Sequence, residues 1–388
     1  MWLHRDHDGS LGFFDMRSKK FFCTPDQFQQ MLSLIKSEGY KLLGPTLRDK
    51  AIVYDELYSA QDLPIGWMDE QDAGYYRLKR RQDGAYFGYN LGQHSWKQFL
   101  FPPNEKIYSI QKKSPLKFYQ EADPQIEKTA FIGIRACEIQ ALLIQDKVFQ
   151  NGRDHYEQYQ KRRENVFILA VQCTRSVSTC FCSSMGSGPA VKHGFDLSLT
   201  EIVEPGNHCF IVETGSPKGE ALCKKMSLAE ADTEKQKKAA DLVENNKCEM
   251  KRRVDNEHVH QMLMNSWECK RWDQAASRCL NCANCTMVCP TCFCAEISHP
   301  AQLDDNYCER WQSWDSCFNL SHSYIHGGSI RKSDKSRYRQ WLTHKFGTWW
   351  DQFGMSGCVG CGRCITWCPV GIDVTEELRE LKKELETS

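Results

Sequence analysis

Cysteine is the residue of this chain that can do chemistry, and its spacing says what kind. One run reads Cys279-x2-Cys282-x2-Cys285-x3-Cys289-Pro290 and another reads Cys358-x2-Cys361-x2-Cys364-x3-Cys368-Pro369. A looser set, Cys137, Cys173, Cys180 and Cys182, lies mid-chain, while residues 1–136 hold only Cys23. Thiols that merely pack a core scatter singly. Thiols crowded in this way serve a metal centre, which must collect several thiolates at bonding distance.

The two dense runs share the bacterial ferredoxin grammar C-x2-C-x2-C-x3-C-P. In that grammar three cysteines on a tight loop bind one cubane, and the fourth leads away to the other. Two copies imply crossed ligation. Cluster one takes Cys279, Cys282, Cys285 and Cys368; cluster two takes Cys358, Cys361, Cys364 and Cys289. Gly360 and Gly362 let the second loop fold tightly. Structural zinc also uses C-x2-C, but as two pairs separated by a long loop, which neither run resembles.

The middle set needs a scaffold. Thr129–Ile134 reads as a short buried strand, Cys137–Phe149 as a helix with apolar Ile139, Leu142, Leu143 and Val148, and Val166–Val171 as a second buried strand. Strand, helix and strand make a βαβ unit and a parallel sheet. Cys137 and Cys173 then emerge at the carboxyl ends of neighbouring strands, where open α/β sheets hold their ligands. Cys180-Phe181-Cys182 continues the second of these loops, so four thiolates can converge on a third cubane. The plainer reading is that strand-end cysteines are small buried residues.

The 388 residues suffice for two or three domains at about 150 residues each. Lys+Arg 50 balances Asp+Glu 50, without the basic surplus that phosphate binding needs. The longest apolar runs, such as Val166–Val171, fall far short of the roughly 20 residues of a membrane helix. The start, Met1-Trp-Leu-His, lacks the apolar core of an export signal. The 21 cysteines cannot all pair within the chain, so the expectation is a cytoplasmic protein with metal or redox chemistry, not a disulfide framework.

A family resemblance rests on Gly133-Ile-Arg-Ala-Cys137-Glu, Arg162-Arg163-Glu164-Asn165, Cys173, and Cys180-Phe-Cys182-x2-Met185-Gly186. Gly194-Phe195-Asp196-Leu197, Gly215-Ser-Pro-Lys-Gly219, Trp267, Cys289-Pro-Thr-Cys292-Phe-Cys294, Trp314-Asp-Ser-Cys317 and the second run extend it. The chain resembles the iron–sulfur β subunit of cytoplasmic sulfhydrogenases, which are NAD(P)-linked [NiFe] hydrogenases, over about residues 25–375. The A subunit of anaerobic sulfite reductase is similar. The resemblance implies three [4Fe–4S] clusters, with Cys137, Cys173, Cys180 and Cys182 on the third. It also implies two partners: a flavoprotein subunit carrying FAD and using NAD(P)H, and a [NiFe] hydrogenase module of small and large subunits. Gly327-Gly328-Ser329 departs from the family, which often has His after the glycine pair. Cys292, Cys294 and Cys317 match family positions but are spare in this arithmetic: they neighbour the clusters or displace an assigned ligand.

Other chemistry is missing. G-x-G-x-x-G after a strand and G-x4-GK[ST] are both absent, and no Ser-His-Asp or H-E-x-x-H motif stands out. The reading is therefore a non-catalytic electron conduit without a flavin or nucleotide site of its own. The expected architecture is an N-terminal α/β domain, 1–255, with one cluster at its sheet edge, then a mostly helical dicluster ferredoxin-like domain, 256–388. Lys235–Arg253 reads as a solvated linking helix, and Glu376–Ser388 as an amphipathic helix that docks on a partner or on its own domain. Eight of the 11 tryptophans fall between Trp267 and Trp367, as packing around the clusters. His322, His326 and His344 read as surface or packing residues. The rivals are the sulfite reductase subunit and a zinc-stabilised scaffold with no redox role.

Overall fold

The computed structural model describes residues 19–90, 92–111, 117–120, 126–150, 155–300 and 307–387. Its centre is a seven-stranded sheet: β1 (Lys20–Cys23), β2 (Lys41–Arg48), β3 (Ala51–Glu56), β4 (Thr129–Ile134), β5 (Val166–Val171), β6 (Leu197–Glu204) and β7 (Asn207–Thr214), in spatial order β1-β7-β6-β5-β4-β2-β3. The four middle strands, β2, β4, β5 and β6, run parallel, and antiparallel strands flank them on both sides.

The apolar runs of β4 and β5 fit this position, because inner parallel strands are covered on both faces. Every residue of β5 is buried. Ala130, Ile132, Leu169 and Val171 face one layer, built on helices α1 (Pro25–Ser37) and α3 (Pro217–Lys225). Phe131, Ile134, Ile168 and Ala170 face the other, with Ile139 and Leu142 of α2 (Ala136–Phe149) and with Trp96. The β4–β5 register shifts between Ile132 and Ile134, at Gly133, whose φ is +83°. α1 starts on a capping box, with Gln27 N donating to Thr24 Oγ1 at 3.2 Å and Thr24 N to Gln27 Oε1 at 2.9 Å.

The second layer of architecture is helical and built around the cysteine runs. α5 (Arg271–Arg278) leads into the first run, and α6 (Val374–Thr387) follows the second. The buried Glu377 of α6 pairs with Arg271 and Arg278 of α5. Leu378 and Leu381 sink into the same core, so the amphipathic tail helix docks on its own chain. A four-stranded antiparallel sheet joins distant parts of the chain, since Tyr307–Trp314 pairs with both Ala295–Ser298 and Asn104–Gln111. The boundary expected near residue 255 is thus crossed by strand pairing. α4 (Thr233–Glu249) takes up the helix expected over 235–253 but ends at Glu249, and it is not only a solvated linker: Asn246 is buried and donates to Cys173 O at 2.7 Å.

Candidate metal centres

The first run leaves α5 at Cys279 and turns through Asn281 and Ala283, both at positive φ. It closes on a short helix, Asn284–Met287. The second makes the same turn through Gly360 and Gly362 into Arg363–Thr366. Cys279, Cys282, Cys285 and Cys368 line one cavity with about 420 Å³ of space, part of it open to solvent. Cys289, Cys358, Cys361 and Cys364 line a second, of about 330 Å³. Each cavity thus draws thiols from both runs, and Cys364 also reaches the first and Cys285 the second. Among the described residues no three His, Cys, Asp or Glu side chains stand about a point that one metal ion could occupy. A cubane asks for four thiolates, one for each iron, and the lining of each cavity offers them.

Other observations fit the same group. Among the described residues Tyr338 Oη and Trp341 Nε1 are buried without a hydrogen-bond partner and belong to residues lining the first cavity; Trp341 and Arg363, whose NH1 is likewise orphaned, line the second. Buried donors of this kind need an acceptor, and the sulfurs of a cluster provide one. Burial, and then repulsion from neighbouring thiols, raises Cys285 and Cys364 well above the usual thiol range, and burial pushes Cys358 up to about 12. These three thiols hold their protons when bare, so iron must displace them, and assembly is tied to folding.

The middle set gathers beside the second cavity. Cys137 opens α2, Cys173 follows β5, and Cys180 and Cys182 sit on the loop beyond. Cys137, Cys180 and Cys182 share one buried cluster with Val359 and Cys361. Cys173 lies 4.0 Å from NH1 of the buried Arg135, which also donates to Phe87 O and Tyr89 O. Burial raises all four thiols, Cys180 to about 12. The loop carrying Cys180 and Cys182 lies directly on the second run: Phe181 N donates to Gly360 O at 2.9 Å and Ser187 Oγ to Val359 O at 2.6 Å. Below it, Arg363 and Glu138, each 1% exposed, form an ion pair, and Glu138 also accepts from Tyr54 Oη and Trp96 Nε1. Glu138 follows Cys137, and Arg363 stands between Cys361 and Cys364, so this pair clamps the two sites together.

The remaining cysteines divide. Cys23, Cys209, Cys223 and Cys269 are buried, Cys308 is half-buried and Cys248 is exposed. Cys292, Cys294 and Cys317 lie near Cys289. The Cys292 thiol hydrogen-bonds Cys289 and is held up by it; Cys294 is drawn down to about 4 by hydrogen bonds from Cys317 and His322. Two buried lysines, Lys97 and Lys345, face these sulfurs. Spacing pointed to none of His322, Lys97 or Lys345 as a partner of the thiols. His326 is exposed, and His344 is half-buried, 5.0 Å from the Trp349 ring. The family elements around Gly194–Leu197 and Gly215–Gly219 are braces: Asp196 accepts from Ile168 N at 2.7 Å, and a Cβ at Gly219 would lie 1.9 Å from Asp196 O.

A mixed α/β chain with a parallel-strand sheet and paired ferredoxin runs is an iron–sulfur protein, and residues 278–372 match the family model for a 4Fe–4S dicluster domain. The chain is 30% identical over 304 residues to the protein named sulfhydrogenase 2 subunit beta of Pyrococcus furiosus, covering 74% of this chain and 83% of that one. The chain therefore belongs to the sulfhydrogenase beta-subunit family, as an iron–sulfur electron-transfer subunit that binds [4Fe–4S] clusters. No solved structure matches it. Among the described residues no helix is long and apolar enough to cross a membrane.

Proposed function

We propose that the chain holds three [4Fe–4S] clusters and relays electrons between an NAD(P)H-linked flavoprotein subunit and a [NiFe] hydrogenase module in the cytoplasm, without a catalytic, flavin or nucleotide site of its own. Cluster one rests on Cys279, Cys282, Cys285 and Cys368; cluster two on Cys358, Cys361, Cys364 and Cys289; the third on Cys137, Cys173, Cys180 and Cys182. The α/β part, 1–255, carries the third cluster, and 256–388 carries the pair.

The observation that carries this reading is the sharing of thiols between the runs: each cavity is lined by three cysteines of one run and two of the other. The clusters supply one-electron transfer when bound. The chain's own residues give them a dry setting: Trp341 and Phe181 wall the second cavity, and hydrogen bonds from buried donors raise a cluster's potential by stabilising its reduced, more negative form. The middle set lies against Cys361, which supports direct passage from the third cluster to cluster two. Cluster one, whose loop bears the exposed Cys282 and Leu280, is then the terminus nearest solvent.

The three cubanes of the relay account for about twelve irons per chain in anaerobically purified protein, with sulfide to match, and a count below about twelve would leave one of them out. A flavoprotein and a [NiFe] subunit should co-purify. Stoichiometric zinc without sulfide would refute the electron relay. A siroheme subunit co-purifying would move the chain to the sulfite reductase type.

A further inference from the structure

Beyond the three-centre relay, we propose that Cys292, Cys294, Cys317 and His322 bind a fourth iron–sulfur cluster, a cubane held by three thiolates and one imidazole.

Strand pairing assembles these residues. Ala295 stands opposite Trp314 in the antiparallel ladder, and Asp315 N donates to Cys294 O at 2.9 Å. Cys317 follows two residues later, and its thiol meets that of Cys294. Thr286 Oγ1 and Ser316 Oγ, 2.7 Å apart, pin this loop to the first ferredoxin run. The His322 ring closes the set: one nitrogen, Nδ1, is engaged by Asp315, and the ring also meets the Cys294 thiol. Asp315 is itself buried and fixed by Asn319 Nδ2 at 2.5 Å. A carboxylate on one imidazole nitrogen is how metal-binding histidines are oriented, leaving the other nitrogen for the metal.

A second observation points to an anionic centre here. Lys97 is 3% exposed and Lys345 4%, and among the described residues their ammonium groups meet carbonyl, hydroxyl and thiol partners, not a carboxylate. A buried ammonium without a counter-charge is strongly disfavoured. Lys345 Nζ lies 3.3 Å from Cys289 Sγ, so cluster two accounts for it. Lys97 Nζ donates to Cys292 O at 3.0 Å, lies 3.7 Å from the centre of the Trp314 ring, and faces the Cys292 and Cys294 thiols as well as Cys289. Thiolates at Cys292 and Cys294 on a fourth cluster add to the negative charge that it faces. The donors do not surround a single-ion point, and a cubane offers a separate iron to each of them.

The test compares anaerobically purified wild-type protein with variants of the full chain. Cys294→Ala should carry about four fewer irons than wild type and keep the signals of both ferredoxin clusters; as a difference, this holds whether or not the middle site is filled. In protein labelled with 15N-histidine, pulsed EPR of the reduced state should show a directly bound nitrogen. His322→Cys should lose that coupling, keep its iron and shift one cluster to lower potential, because thiolate donates more strongly than imidazole. Four results would each overturn the proposal: unchanged iron in Cys294→Ala, one zinc per chain lost with Cys294, a Cys294–Cys317 disulfide in the native protein, or no nitrogen coupling in wild type. Each leaves the three-cluster relay standing, and loss of the ferredoxin signals from wild type itself would sink that relay separately.

Discussion

The two ferredoxin runs have the same spacing and the same turn but different residues at the strained positions. In the second, Gly360 and Gly362 take φ of +62° and +77°; in the first, Asn281 and Ala283 take +51° and +64°. Left-handed backbone alone therefore does not demand glycine here. The neighbour does. A Cβ at Gly360 would lie 2.7 Å from Cys182 Cα, and one at Gly362 would lie 2.4 Å from Thr179 O. The second run is pressed backbone to backbone against the loop of the middle thiols, while the first turns outward, with Leu280 63% exposed and Cys282 exposed. One copy of the motif is an internal junction and the other an outward-facing terminus.

The largest test of that contrast is Cys180→Ala. It should remove about four irons, the content of one cubane, and leave both ferredoxin clusters with their EPR signals. Unchanged iron would show that Cys180 is not a ligand. Next in size is Glu138→Gln, which leaves the Arg363 guanidinium buried without its counter-charge. Breaking a buried pair in this way costs about 3–5 kcal/mol. The loss should appear as a lower denaturant midpoint for bleaching of the clusters, with cluster two the first to go. Equal loss of both ferredoxin clusters would mean that the clamp serves the whole fold and not the junction. Gly362→Ala should cost about 3 kcal/mol, from a left-handed alanine and from overpacking on Thr179. Its iron should fall at the middle site before the first run is affected.

Much of the scaffold was legible in the sequence. β4 and β5 have the boundaries their apolar runs suggested, and α2 begins one residue earlier than its periodicity did. These elements are buried on their own account, and a local pattern records that. What holds them in place was not legible. Glu138 meets Arg363 across 225 residues, and Tyr307–Trp314 finds Asn104–Gln111 across some two hundred, pairings that no local period encodes. His322 read as a surface or packing residue because nothing near it in sequence is a ligand run; only strand pairing brings Asp315 and Cys294 to its ring. Lys97, inside a short helix far from any cysteine, gave no hint of facing Cys292. The helix expected over 235–253 illustrates the same limit, since its charge pattern describes the solvent side, while Asn246 and Met250 touch the middle set.

The smallest expected effect separates strain from contact most cleanly. Ala283 occupies the same turn position as Gly362 but carries a Cβ there, packed beside the first cavity, so its left-handed φ is a strain the turn already bears. Ala283→Gly relieves about 1–2 kcal/mol of that strain and gives back about 0.4–1 kcal/mol in unfolded-chain entropy. The variant should be more stable than wild type by about 1 kcal/mol, read as a higher guanidinium midpoint for loss of the visible cluster absorbance, with iron content unchanged. The same substitution in reverse at Gly362 is destabilising. If Ala283→Gly were also destabilising, the Ala283 methyl would be packing against cluster one, and the difference between the two runs would lie in how each grips its cubane and not in what presses on it from outside.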